Sequence, residues 1–135
     1  MRAVLILTLL LAGSASALAG AAYQPGTSVE MPYLIAPVVV DGVLTSNAYV
    51  SSKIIATSPA ATIVVRDKLA FIQDAFVRDV NGAPIGKPGD PTSVDGRALA
   101  ARLLADARRV VGPNLVDTVE IIRIQISPLR GGGPS

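Results

Sequence analysis

The chain has 135 residues, half of them apolar, and a formal net charge of +2. That length allows one domain with a modest core, and the near-neutral balance, with no basic run longer than Arg108-Arg109, gives no case for nucleic acid or an anionic membrane as the main partner. With no Cys and no His, thiol chemistry, disulfides, His- or Cys-built zinc sites and His-based triads are excluded, while carboxylate-only sites for calcium or magnesium stay open.

The first residues carry the three parts of a secretory signal. Arg2 is a positive n-region, Ala3 to Ala12 (AVLILTLLLA) is an apolar h-region, and small residues offer cleavage after Ala17 or Ala19. The alternative is an uncleaved membrane anchor reaching Ala22, because no charge occurs between Ala3 and Ala22, and about 20 apolar residues span a bilayer. The Gly, Ser and Ala of the second half add little transfer energy, which favours a removed signal peptide over residues 1–19. No Cys follows the h-region, so a lipoprotein anchor is excluded. Residues 20–31, including YQPGTSVEM, read as a flexible polar leader into a single domain over 32–129.

From Pro32 the pattern turns to β. YLIAPVVV is a short apolar run, and Asp41-Gly42 between valines predicts a two-residue type I′ hairpin. Pro37 places the first strand at an edge or a bulge. The return strand runs from about Val43 to Ala56, with Ser46-Asn47 as a point of interruption.

One long helix is predicted over Ser58–Asn81. Ser58 is a suitable N-cap and Pro59 suits the first helical position. Val65, Leu69, Ile72 and Phe76 form one apolar stripe, Asp67, Asp74 and Arg78 face away from it, and Asn81-Gly82 supplies a left-handed stop. Gly82 to Ser93 holds three Gly and three Pro in twelve residues and reads as a loop, either mobile or used for contact. Asp95 caps a second helix, Gly96–Val111, with Leu99, Leu103, Ala107 and Val110 on one side and an Arg102–Asp106 surface pair. Gly112-Pro113 ends it. Val116–Ile126 is the last strand, with Ile122, Ile124 and Ile126 buried and Arg123 and Gln125 wet. Residues 130–135 form a disordered tail. The order ββ-α-α-β predicts an α+β domain, a small sheet of three or more strands with two helices on one face.

No catalytic, cofactor or metal site emerges. Asp67 and Asp74 read as a solvated face balanced by Arg66, Lys68 and Arg78. Asp79 sits near the edge of the apolar stripe, in a last turn that frays toward water. Gly86 to Pro91 lacks the spacing of a phosphate loop. Ser52 and Lys53 adjoin, but strand neighbours point to opposite faces, which works against a Ser–Lys dyad. Phe71 points off the stripe and Val77 leans out on the other flank. With Asp74 and Arg78 they mark a partner surface, the alternative for Phe71 being contact with the second helix.

An opening strand (MPYLIAPVVV), a return strand, the helix through RDKLAFIQDAFV, Asp95-Gly96-Arg97 and GRALAARLLADARRVVG, and the closing VDTVEIIRIQI follow one another in order. From about Met31 to Leu129, this order resembles the periplasmic domain of the flagellar basal-body-associated FliL family. The resemblance implies a stomatin-like fold, self-association into a ring beside the flagellar stator units, and a mechanical role without catalysis or cofactor. The chain is accordingly expected to be exported to the periplasm, homo-oligomeric and in contact with stator or basal-body proteins, and to touch the inner membrane only where its leader is retained. The rival expectation is a small periplasmic module that binds a ligand or peptide through Gly82–Ser93.

Overall fold

A computed structural model describes residues 26–129. The signal peptide, its cleavage points, the alternative anchor and the predicted tail at 130–135 lie outside the described residues. The domain is α+β, as the element order predicts, and has a four-stranded antiparallel sheet and three helices.

The long strand β3 (Val43–Ala56) is the spine of the sheet. On one side it pairs with β1 (Ser28–Glu30) and β2 (Leu34–Val40), and on the other with β6 (Val116–Pro128). The polar leader therefore ends earlier than Met31. Val29 and Met31 are buried and Ser28 pairs with Ile55, so apolar residues two apart suffice to fasten this stretch. Between β1 and β2 the ladder is interrupted at Pro32, which has no N–H to give.

The hairpin forms as predicted: Asp41 (φ 52°) and Gly42 (φ 77°) both take the left-handed conformations of a type I′ turn. Among the described residues β2 pairs only with β3, which places Pro37 on an edge strand. The return strand is continuous through Ser46-Asn47. The irregularity is a bulge at Thr45, since Val38 pairs with Ser46 and Val39 with Leu44.

The predicted long helix is two helices, α1 (Pro59–Asp67) and α2 (Leu69–Gly82), with Lys68 (φ −100°, ψ 10°) between them. Ser58 Oγ accepts from the Ala61 N–H at 3.0 Å, as its N-cap role requires. Hydrogen bonds from Lys68 N–H to Val64 O and from Ile72 N–H to Lys68 O keep the turns stacked. The β-branched run Thr62–Val65 is a weak helix former, and the halves have different docks: α1 lies on β1 and β3, α2 on β2 and the third helix, α3 (Gly96–Val111).

The left-handed stop at Asn81-Gly82 does not occur. α2 runs through Gly82 and leaves it in an extended Ala83 (φ −142°, ψ 140°), because a residue before proline, here Pro84, avoids the helical region. The predicted loop Gly82–Ser93 is also mostly structured. β4 (Gly86–Lys87) and β5 (Asp90–Val94) form a small hairpin turning at Gly89 (φ 78°), and Ile85 is buried beneath it.

α3 has the predicted bounds, with Asp95 Oδ1 accepting from Ala98 N–H at 3.1 Å. In β6 the predicted alternation fails at Ile122, which is 56% exposed. Ser51 pairs with Arg123 and Ser52 with Ile121, so Ile122 is a bulged extra residue and the inward parity shifts from Val119 and Ile121 to Ile124 and Ile126. Leu34, Ala36, Val38, Ala48, Val50 and Ile54 close the core against Val65, Ile72, Phe76, Val80, Leu99 and Leu103. Among the described residues no helix is long and apolar enough to cross a membrane.

Candidate functional site

The core stripe of α2 buries Ile72, Phe76 and Val80, which rotates a second row of the same helix outward. Phe71 stands 63% exposed, so it is neither core nor covered by α3. The Lys68 ammonium lies 5.3 Å from its ring centroid, a cation–π contact at an exposed site. Asp74 and Arg78 form an exposed i,i+4 ion pair at 2.9 Å. Phe71, Asp74 and Arg78 line one open groove of about 760 Å³ between α2 and α3, closed on the far side by Asp106, Arg109 and Val110. Val77 is 40% exposed but faces away from that groove, so three of the four predicted surface residues come together and one does not.

A buried charged cluster forms the floor and was not anticipated. The predicted Arg102–Asp106 pair is absent. Arg102 turns instead to α2, where Nε donates to Asp79 Oδ1 at 3.0 Å, and its terminal nitrogens donate to the carbonyls of Asp79, Ala83 and Pro84. Asp79 O already accepts from Ala83 N–H, and Ala83 and Pro84 lie just beyond α2, so this cation from the neighbouring helix sits at the negative end of α2 and ties down the chain as it leaves. Asp79 is therefore not in fraying contact with water; its side chain is 16% exposed.

Asp106 is the more unusual residue, a carboxyl only 3% exposed. Arg109 donates to its Oδ1 at 2.6 Å, while Oδ2 meets no donor among the described residues. Burial, then a hydrogen bond to Asp79 and the charge of Asp79, push the Asp106 carboxyl up to about 7, against the opposing pull of Arg109 and Arg102. Protonated, the Asp106 carboxyl can donate to Asp79. Burial also acts to raise Asp79, but that donated proton and the guanidinium of Arg102 hold it below the usual carboxylate range. The two carboxyls thus share one proton across the α2–α3 seam. The signal was present in the spacing: Asp106 lies seven after Leu99, three after Leu103 and four before Val110, on the apolar side of its helix.

The remaining chemical candidates are kept apart. Ser52 is buried on the inner face of the sheet, while Lys53 points outward to Glu120 at 3.3 Å. Lys87 lies in the β4–β5 hairpin and Asp67 is exposed on α1. Among the described residues, no group of three or more acidic side chains converges as a metal site would require. A scan against protein-family models found no match, and a search of curated proteins found no significant one.

Proposed function

We propose that this chain is an exported, non-catalytic assembly protein of the FliL type, held at the periplasmic side of the inner membrane and supporting the flagellar stator through self-association. The observation that carries the reading is the exposed Phe71 on a rigid helix, flanked by Lys68, Asp74 and Arg78. A large aromatic kept out of the core, with charges of both signs around it, has the make-up of a contact surface. The order of strands and helices, with the helices packed on one sheet face, agrees with the stomatin-like domain that the resemblance implies. Phe71→Ser tests the reading. It should abolish assembly while leaving helix content by circular dichroism unchanged; undiminished assembly would contradict it.

The α2–α3 groove itself favours one second reading, a periplasmic module binding a small ligand or peptide, because about 760 Å³ is the size of ligand clefts. Such a module would be monomeric, and a bound ligand would raise its melting temperature.

A further inference from the structure

Two surfaces of the domain are left uncovered, and their chemistry is complementary. The first is the tip of the β2–β3 hairpin. Over residues 31–52 the only charged residue is Asp41, and it sits in the turn. Beside it Val43 is 61% exposed and Leu44 is exposed too, with Val39 and Val40 half-buried behind them. The type I′ turn fixes the shape of this apolar knob and sets its single acid at the end. The second surface is the α2–α3 groove, where Phe71, Ala75 and Val110 supply the apolar lining. Its accessible charge is positive. Asp79 is engaged by Arg102, and Asp106 is buried behind Arg109. Asp74 pairs with Arg78, which leaves Lys68 and Arg109 to meet an incoming acid. Below pH 7 Asp106 holds its proton and cancels little of the Arg109 charge.

We infer that the β2–β3 hairpin tip of one copy of this chain seats in the α2–α3 groove of the next, head to tail. This inference rests on the self-association proposed above and names its contact. Val43 and Leu44 cover the exposed Phe71 ring, and the Asp41 carboxylate reaches Lys68 and Arg109 of the receiving copy. Neither surface is filled within its own chain, since the tip is exposed and the groove open. The other hairpin turn, between β4 and β5, carries Lys87 and no exposed large apolar side chain, so it lacks the match. A second α2 would bring the same cations against Lys68 and Arg109, and like charges repel. The contact is heterologous. Every copy gives one tip and receives one, so it repeats around a ring or along a filament. A tip of residues 41–44 buries far less than the roughly 1,200–2,000 Å² of stable interfaces. Each contact is therefore weak, and the assembly holds by repetition where the chain is concentrated.

The absence of Cys from the sequence makes the contact directly testable in the full chain. One preparation carries Val43→Cys at the tip and another Asp74→Cys in the groove, both at exposed positions. Neither exchange removes Asp41, Phe71, Lys68 or Arg109. A short bis-maleimide should cross-link the mixture and neither preparation alone. Asp74→Cys linking to itself would show a contact between helices and overturn the inference. Gln125→Cys, exposed on β6, should not cross-link with Val43→Cys. Asp41→Asn keeps a residue that the turn favours and removes only the charge. In sedimentation it should weaken association about fivefold, and what remains should lose most of its sensitivity to salt. An oligomer of native mass without the 43–74 cross-link, or undiminished by Asp41→Asn, overturns this contact and leaves self-association standing. A monomer at every concentration overturns both.

Discussion

The side chain with the widest reach is Arg102, which joins two helices through the Asp79 carboxylate and holds the chain leaving α2 through the carbonyls of Asp79, Ala83 and Pro84. Arg102→Ala would leave Asp79 buried without its cation and free the chain that leaves the helix. The expected loss is about 2–3 kcal/mol in urea unfolding. The shared proton gives a second prediction. Asp106 binds its proton more tightly folded than unfolded, so its contribution is fully present below the ordinary value of 3.8 and is lost as pH rises toward about 7. Asp79, held low, works in the opposite sense, and its contribution is lost only as pH falls below the ordinary carboxylate range. Between pH 4 and 7 the Asp106 slope dominates, on the order of a few kcal/mol at most. Asp106→Asn, which keeps a donor toward Asp79, should flatten that slope; an unchanged slope in the variant would show that the proton sits elsewhere.

At the scale of elements, local chemistry was legible where a short motif decides the outcome alone. Asp41-Gly42 fixed the hairpin and Asp95 with Gly112 fixed both ends of α3. What escaped depends on contacts distant in sequence or on one extra residue. Nothing in VDTVEIIRIQI announces that Ile122 is bulged, because the bulge is defined by its register against Ser51 and Ser52. The Asn81-Gly82 stop was overridden by Pro84 and by Arg102, eighteen residues further along the chain than Pro84. The Asp79–Asp106 pair was only half legible, since the spacing sets Asp106 on the apolar side of α3 while its meeting with Asp79 depends on how the two helices dock. Glycine exchanges separate the two kinds of turn. Gly42→Ala, at φ 77° with open space around it, should cost about 1–2 kcal/mol from backbone strain alone. Gly82→Ala, with nothing within 4 Å and no positive φ, should be neutral or stabilise by up to about 1 kcal/mol. A loss at Gly82 would restore the left-handed stop.

For the whole molecule, the division between covered and uncovered apolar residues is the functional statement. The inner sheet face and the inward helix stripes bury each other, while Phe71 and Val77 remain outside on a helix rigidly seated by Phe76 and Val80. A helix placed so firmly presents its outer row with little entropy left to lose on association. The central claim is that this outer row holds copies of the chain together at the membrane. It is tested most directly by the native mass and membrane partition of the protein recovered from its own cells, wild type beside Phe71→Ser. The account predicts a large membrane-associated complex for the wild type and its dissociation in the variant. A soluble wild-type monomer beginning near Leu18 or Gly20 would contradict it.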